Sequence, residues 1–471
     1  MNTSPLSGGL SRRRFLAATG FALVAPTIIP ASAFGQNGRT APSNRIIMGV
    51  VGWGMQGPGN TGNFMNEADC QVVAACDLNK HNLQSAVNSV NGHYKNKDCK
   101  AYHDFREMMA RTDIDAVMLA VPDHWHALVA VEAANNKKDI YGEKPLARTI
   151  AEQQAMVKAV QRNKRMWQTG SWQRSERNFH YGAEIVRNGL IGKVKRVEVG
   201  LPDGHNDFAG TAGPLQEKLA KIPGAPNDLA KVVPGTAAWD AAVSAPPEDL
   251  DYEFWLGPSR KEPYIHARVF MNWRWNYNTG GGQLLDWIGH HCDIAHWGLG
   301  NDDKIGPSEV EGQGEFPPKD AIWNTCTKYR VTCKYPNDIE FIIAGGHGDI
   351  RGGTKWIGTD GRWVWVDRGN AFESSNATWG DTRNLPEDQR KVKLIKTKNH
   401  YRDFLDAVKS RQPTVSPVEV AHHSAIPGHL GLISMLVGRK INWDAAKEVI
   451  LDDAEASKLL TRPYRTPWKL A

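Results

Sequence analysis

Short apolar runs and longer amphipathic stretches alternate along the first third of the chain. The apolar runs are RIIMGVV, QVVAACD, IDAVMLAV and DIYG, and turn residues border each of them. Such alternation is typical of parallel strands connected by helices, because each buried strand needs a helix to return the chain to the same edge of the sheet. The pattern predicts an α/β domain with a parallel sheet over residues 34–172.

The pattern changes after residue 172. A helix over Asn178–Asn188 and a strand over Val194–Val199 are followed, up to about residue 255, by a Pro- and Gly-rich stretch without a clear period. A further helix is predicted to end at Gly298 or Gly300. Alternating apolar and polar residues then predict strands in KYRVTCKY, IEFIIAGG, TKWIGTDG and RWVWVDR, followed by two closing helices. Residues 173–471 are therefore predicted to form a C-terminal α/β domain for substrate and oligomerisation, with a large, open, mainly antiparallel sheet.

The first 33 residues have the pattern of a secretory signal. Ser11, Arg12, Arg13, Phe15 and Leu16 fit the twin-arginine export pattern, and a short apolar stretch follows them. The small residues ASA at 31–33 form a cleavage site, so the mature chain is predicted to begin near residue 34. We expect export by the twin-arginine machinery to the periplasm or another extracytoplasmic space. An uncleaved N-terminal membrane anchor is the alternative.

Composition narrows the function classes. The net charge of +6 falls to about +3 when Arg12, Arg13 and Arg14 are subtracted, and no basic run with interleaved aromatic residues occurs, so nucleic-acid binding is not expected. The six cysteines include no CxxC pair, which argues against a zinc ribbon and a disulfide framework. Seventeen tryptophans are many, and aromatic faces beside polar groups suit sugar rings.

A glycine-rich motif follows the first predicted strand. Gly52 permits a tight turn, Gly54 lets the backbone approach a pyrophosphate, and Gly57 lets the next helix pack closely. Asp77 ends the second strand, where its carboxylate can accept hydrogen bonds from ribose hydroxyls and would repel a 2′-phosphate. The predicted cofactor is therefore NAD rather than NADP, although Lys80 is a nearby cation. The predicted contacts in the motif are Gly52, Trp53, Gly54, Met55, Gln56 and Gly57.

Two further segments carry candidate chemistry. Glu143, Lys144 and Pro145 follow the strand DIYG, at the carboxyl end where open α/β sheets bind ligands. In the helix after residue 282, Asp286 and His290 are one turn apart, and Asp293 and Trp297 continue the same face. Oxidation of a secondary alcohol needs a base for the hydroxyl proton, and histidine suits that role. An ordinary helical Asp–His pair is the alternative.

A metal site in the same helix is the other alternative. His290, His291, Cys292, Asp293 and His296 follow one another closely, but they point around the helix rather than to one side. No metal ligand is therefore predicted.

These motifs together resemble the glucose-fructose oxidoreductase, inositol dehydrogenase and rhizopine-catabolism family (Gfo/Idh/MocA). The resemblance covers GxGxxG, Asp77, VPDHWH at 121–126, EKP at 143–145 and GGGxLxDxxxHxxD at 280–293, with Ile288 where the family commonly has glycine. It implies that Lys144 contacts both cofactor and substrate. It also implies that the nicotinamide side is lined by Pro122, His124, His126 and Glu143. Lys144, Asp286 and His290 are the predicted catalytic residues.

The substrate is expected to be a sugar or glycoside. Arg174, Arg274 and Asp293 are candidate substrate contacts, with ordinary salt bridges as the alternative for the two arginines. We predict an exported, NAD-dependent oxidoreductase of a sugar or polyol CH–OH group that holds its cofactor tightly and forms a homo-oligomer. Two alternatives stay open. One is a redox-neutral, NAD-dependent glycoside hydrolase or lyase that transiently oxidises the sugar ring, and the other is a non-catalytic sugar- and NAD-binding protein.

Overall fold

The computed structural model describes residues 41, 44–300, 304–382, 385–397 and 399–470. Every helix and strand named below lies within residues 46–471. The predicted signal at residues 1–33 lies outside the described residues. Within the described part of the chain, no helix has the length and apolarity needed to cross a membrane.

The first layer is a parallel sheet. Within the described residues it has six strands in the order β3-β2-β1-β4-β5-β6. They are β1 (Ile46–Val51), β2 (Cys70–Cys76), β3 (Lys100–Tyr102), β4 (Ala116–Leu119), β5 (Asp139–Gly142) and β6 (Trp167–Thr169). The connecting helices are α1 (Gln56–Met65), α2 (Lys80–Tyr94), α3 (Phe105–Met109), α4 (Asp123–Asn135) and α5 (Ile150–Arg162). This strand order is that of a Rossmann fold and confirms the predicted parallel α/β layer.

Helix α4 begins earlier than its apolar periodicity suggests. The sequence predicts a start at about Ala127, but the helix starts at Asp123, directly after Pro122 in an extended conformation. Asp123, His124 and His126 are all buried in its first turns. Buried polar residues do not contribute to an apolar pattern, so the pattern could not include this turn.

The second layer is a mixed sheet. In the described ranges it has nine strands in the order β13-β12-β11-β7-β10-β9-β8-β14-β15. They are β7 (Val194–Leu201), β8 (Glu309–Glu315), β9 (Lys328–Tyr335), β10 (Ile339–Gly345), β11 (Gly353–Gly358), β12 (Trp363–Asp367), β13 (Ala371–Ser374), β14 (Ile441–Asp444) and β15 (Val449–Ile450). All neighbouring pairs are antiparallel except β7 with β10, which is parallel. The predicted mainly antiparallel sheet is confirmed.

The remaining helices follow β6 along the chain, and several of them cover one face of this second sheet. They are α6 (Arg177–Arg187), α7 (Ala212–Leu219), α8 (Ala237–Ala242), α9 (Tyr252–Leu256), α10 (Gly282–Leu299), α11 (Thr378–Thr382), α12 (His400–Ser410), α13 (Val418–Val437) and α14 (Ala454–Lys458). Helix α10 ends at Leu299 with Gly300 as its cap at a φ of 87°, within the predicted range. Apolar residues of α6, α10 and α13 form one buried cluster with the sheet.

One C-terminal helix packs against the first sheet instead. Phe404 and Leu405 of α12 are fully buried in the same cluster as Met48 of β1 and Tyr141 of β5. The chain leaves the first sheet after β6, near the predicted boundary at residue 172, but α12 returns to it. Helix α12 has a strongly amphipathic sequence, and its position in the sequence did not indicate which sheet its apolar face would cover.

Candidate functional site

The glycine motif forms a tight turn between β1 and α1. Gly52 has a φ of 92°, and a Cβ there would lie 2.3 Å from the carbonyl oxygen of Ala120. A Cβ on Gly57 would lie 2.2 Å from the carbonyl oxygen of Gly52, whereas a Cβ on Gly54 would meet only open space. In the described ranges, helix α1 has no side-chain cap and no acid in its first turn. Its N-terminal amides are therefore suited to an anion.

Asp77 lies at the end of β2, beside this turn. Its Oδ2 accepts a hydrogen bond from the backbone N–H of Trp53 at 2.7 Å, and its Oδ1 accepts one from Asn79 at 2.8 Å. Burial raises the pKa of Asp77, and the backbone hydrogen bonds only partly offset this. The ammonium of Lys80 donates to the carbonyl oxygen of Glu248 instead of approaching Asp77.

A cavity of about 890 Å³ extends from the glycine turn to helix α10. Most of the residues predicted from the sequence line it. These are Gly52, Trp53, Gly54, Met55, Gln56, Asp77, Pro122, Glu143, Lys144, Arg274, Asp286 and His290. The cavity wall also includes Phe270, which is 38% exposed and has a φ of 53°. Backbone strain at an exposed aromatic residue in a cleft is typical of binding sites.

Lys144 and Asp286 meet across the cavity from opposite layers. The Nζ of Lys144 lies 3.2 Å from Oδ1 of Asp286 and donates to its backbone carbonyl oxygen at 3.1 Å. Arg274 donates from Nε to the same Oδ1 at 2.8 Å. Burial alone would raise the pKa of Asp286, but the charges of Arg274 and Lys144 outweigh it and hold that pKa well below its ordinary value. Asp286 is therefore an ionised, fixed carboxylate.

His290 lies one helical turn beyond Asp286. Its Nδ1 donates to Oε1 of Gln173 at 2.9 Å, which fixes the ring and leaves Nε2 as the basic nitrogen. Burial, with the charge of Lys144, lowers the pKa of His290 well below its ordinary value. The imidazole is neutral at physiological pH and can accept a proton.

Glu143 is buried between the cavity and helix α1. Its Oε1 accepts a hydrogen bond from Asn60 at 2.7 Å, and Tyr401 donates to the amide oxygen of Asn60 at 2.9 Å. Within the part of the chain that the structure describes, its buried Oε2 has no hydrogen-bond partner, and burial raises the pKa of Glu143. Such a carboxyl oxygen can receive a donor from a bound ligand.

Asp123 is a site residue that the sequence did not single out. It lines the cavity as the first residue of α4 and is 1% exposed, and its buried Oδ1 has no hydrogen-bond partner among the described residues. Burial and the charge of Asp286 raise its pKa to about 7. Its position directly after Pro122, in the VPDHWH motif that holds both predicted histidines, is the sequence feature that could have indicated a site residue.

Those two histidines lie behind the cavity wall rather than in it. Nε2 of His124 is 2.8 Å from the carbonyl oxygen of Trp255, and Nε2 of His126 is 2.8 Å from that of Val121. Burial lowers the pKa of both. The expectation that they line the nicotinamide side is corrected, because their ring nitrogens anchor backbone segments that form the wall. Gly57 is likewise a packing residue outside the wall.

Arg174 and Asp293 form a closed ion pair away from the cavity. Arg174 donates to Oδ2 of Asp293 from Nε at 2.7 Å and to Oδ1 from Nη2 at 2.9 Å. Their side chains are only 3% and 1% exposed, and the guanidinium lies over the ring of Trp297. The structure thus corrects the expectation that they bind substrate, since each group neutralises the other and neither lines the cavity. Arg274, in contrast, does line it.

The remaining polar groups of helix α10 diverge. His291 contacts Asp367 at 3.4 Å, and His296 is 2.7 Å from the hydroxyl of Tyr335. Among the residues that the structure describes, no three His, Cys, Asp or Glu side chains are arranged to hold a metal ion. All six cysteines are buried free thiols.

Two family profiles match the chain. The NAD-binding Rossmann fold of the oxidoreductase family Gfo/Idh/MocA matches residues 46–171. The C-terminal alpha/beta domain of the same oxidoreductase family matches residues 235–470.

Individual relatives match mainly through the first domain. Inositol 2-dehydrogenase of Salmonella typhimurium is 33% identical over 147 residues, which are 31% of this chain and 42% of that protein. Glycosyl hydrolase family 109 protein 2 of a Shewanella species is 29% identical over 157 residues, or 32% of this chain and 34% of that protein. The matched region thus spans less than half the length of either relative.

Among solved structures, the WlbA dehydrogenase of Chromobacterium violaceum, in complex with NADH and UDP-GlcNAcA, is similar with a TM-score of 0.59. The match covers 86% of this chain and 98% of that one. At 15% identity, this similarity shows the fold alone.

Proposed function

The chain belongs to the Gfo/Idh/MocA oxidoreductase family, and on that premise we propose that it is an NAD-dependent dehydrogenase of a sugar or polyol CH–OH group. The observation that carries the proposal is the meeting of Lys144 with Asp286 at 3.2 Å on the wall of the cavity, with His290 one turn away. These groups supply a cation, a fixed carboxylate and a neutral base around one space.

The residues of the first layer fit a dinucleotide. Gly54 leaves open space where a pyrophosphate approaches, the uncapped start of α1 offers amides, and Asp77 is placed for ribose hydroxyls. In the described part of the chain, the lysine and arginine side chains of the wall are Lys144, Arg274 and Arg368. Lys80, the cation that could have bound a 2′-phosphate near Asp77, is not among them, which favours NAD over NADP. When bound, NAD supplies the acceptor for the hydrogen and electron pair of the substrate C–H bond.

The proton of the substrate hydroxyl goes to His290. Its Nε2 accepts the proton while the C–H bond breaks with its electron pair and the C–O bond becomes a carbonyl. The ammonium of Lys144 stabilises the negative charge that develops on oxygen. Asp286 holds Lys144 in position and can accept a hydrogen bond from a neighbouring substrate hydroxyl.

The test is reduction of NAD by a panel of sugars and polyols, followed by NADH absorbance and fluorescence. Lys144→Ala and His290→Ala should each lower kcat/KM by about 100-fold or more, because each removes a group that acts only in the transition state. The matched controls Lys158→Ala and His81→Ala change exposed residues and should leave turnover unchanged. Full activity of the His290→Ala variant would refute its role as the base.

Redox-neutral glycoside cleavage is the second candidate. Asp123 supports it, because transient oxidation followed by elimination needs a further acid or base, and its pKa of about 7 suits proton exchange. Release of an aglycone from a glycoside without net NADH, abolished by Asp123→Asn while simple alcohol oxidation persists, would favour this function. NAD binding without turnover on any substrate would favour the non-catalytic alternative.

Export, a captive cofactor and homo-oligomerisation complete the proposal. The twin-arginine pattern supports export to an extracytoplasmic space, where free nicotinamide nucleotides are scarce and a tightly held NAD is an advantage. NAD that is released from the purified protein only on denaturation would support the tightly held cofactor. The homo-oligomer is checked by light scattering.

A further inference from the structure

The cavity wall has a further cation beyond Lys144 and Arg274. Arg368 follows β12 and lines the cavity together with Trp172 and Trp287. Its guanidinium carbon lies 4.8 Å from the ring centre of Trp172 and 5.2 Å from that of Trp287. Both rings also contact the imidazole of His290, with centroid distances of 6.2 Å and 5.1 Å. A cation and two aromatic faces therefore adjoin the proposed base.

Arg368 is exposed to solvent and differs from the other cations of the wall in its pairing. Lys144 and Arg274 both pair with Asp286. Arg368 makes no ion pair with any residue that the structure describes. Its neighbour Asp367 accepts a hydrogen bond from the Arg368 backbone N–H and contacts His291. Burial raises the pKa of Glu176 and the charge of Arg368 partly offsets this, so the two groups interact, although no ion pair joins them in the described part of the chain.

We propose that Arg368, Trp172 and Trp287 form a subsite for an anionic group on the substrate, so that the substrate is a sugar acid. The inference rests on the proposed dehydrogenase function. A guanidinium can bind a carboxylate through two parallel hydrogen bonds, and the two indole rings hold the guanidinium of Arg368 in place. His290 and Arg368 contact the same two indole rings. A sugar whose reacting hydroxyl lies at His290 therefore presents a neighbouring substituent to Arg368. The pyrophosphate of NAD has its own place at the glycine turn, on the first layer.

The test compares binding and turnover of matched sugars. Hexuronates, their parent hexoses and the hexose phosphate monoesters are titrated into the NAD-loaded protein, with tryptophan fluorescence for binding and NADH formation for turnover. We expect at least one hexuronate to bind about 10-fold to 100-fold more tightly than its parent hexose, the range of a charge-assisted hydrogen bond. Arg368→Gln should abolish this preference, and Arg368→Lys should keep part of it.

Arg351→Gln is the matched control. Arg351 is an exposed arginine over Trp365 that pairs with Glu373 and does not line the cavity, so its loss should leave the preference intact. A thermal unfolding curve of each variant shows that the fold is retained. A stronger preference for the phosphate monoesters would replace the carboxylate by a phosphate and overturn the sugar-acid assignment.

The outcomes separate this inference from the proposed function. Equal binding of hexuronates and hexoses, or an unchanged preference in Arg368→Gln, refutes the subsite while sugar-dependent NADH formation still supports the dehydrogenase. Binding of none of the sugars also counts against the subsite. Absence of NAD binding refutes the proposed function itself.

Discussion

Arg274 donates from Nε to Oδ1 of Asp286 at 2.8 Å, on the same oxygen that the ammonium of Lys144 contacts. One buried carboxylate oxygen thus holds two cations. Arg274 also stacks on Trp273, with its guanidinium carbon 4.3 Å from the ring centre. It is therefore a positioning residue that keeps Asp286 ionised and oriented toward the proposed catalytic lysine.

Replacing Arg274 should shift the pH dependence of the reaction. Arg274→Met removes the larger of the two charge effects that lower the pKa of Asp286, so that pKa rises and the acidic limb of kcat/KM moves to higher pH. We expect kcat to fall by about 10-fold to 100-fold with a smaller change in KM. The pH profile of kcat/KM is the measurement, with Arg260→Met, at an exposed arginine, as control. An unmoved acidic limb would contradict the positioning role.

Breaking the Arg174–Asp293 pair should cost stability. Arg174→Met removes the guanidinium that binds both carboxylate oxygens of the buried Asp293, and we expect the free energy of unfolding to fall by about 3–5 kcal/mol. The double variant Arg174→Met/Asp293→Leu should be less destabilised than the sum of its two single changes. Urea unfolding measures both. Loss of sugar affinity at unchanged stability would instead support the original substrate-binding prediction.

Two glycines of the same turn should respond differently to alanine. A Cβ at Gly54 enters open cavity space, so Gly54→Ala should keep the stability of the fold and weaken NAD binding by about 10-fold or more. A Cβ at Gly57 would lie 2.2 Å from the carbonyl oxygen of Gly52, so Gly57→Ala should destabilise the protein. Thermal unfolding and NAD titration distinguish the two effects. Equal loss of stability in both variants would argue against the cofactor role of Gly54.

Asp123 should make stability depend on pH. Its pKa is about 7 in the folded protein and about 4 in an unfolded chain, so the folded state keeps the proton longer. Ionisation therefore costs stability as the pH rises from about 4 to about 7. The stability of Asp123→Asn relative to the native protein should grow by about 2–3 kcal/mol between about pH 5 and pH 8.

Chemical denaturation at both pH values measures this effect. Asp98→Asn changes an exposed aspartate and serves as the control. A relative stability that stays constant with pH would show that Asp123 ionises normally.

The α/β architecture could be predicted from the sequence because the strands of the first sheet are continuous apolar runs, whereas strands of the second sheet alternate apolar and polar residues. The glycine turn and Asp77 could be predicted as well, because a tight turn after a strand depends on local backbone geometry, which the GxGxxG spacing reveals. Lys144 could be placed at the carboxyl end of the first sheet, since it follows a predicted strand. The spacing of four residues between Asp286 and His290 puts both on one face of their helix.

Only the tertiary structure decided which charges are used for folding and which face the cavity. Arg174 and Arg274 are similar in sequence context, yet one is sealed against Asp293 and the other shares Asp286 with Lys144. Asp123 and Arg368 reach the wall through the start of α4 and the end of β12, and no periodic pattern marks either position. Local sequence sets the periodicity of an element, whereas the desolvation and pairing of a charge depend on residues far away in the chain.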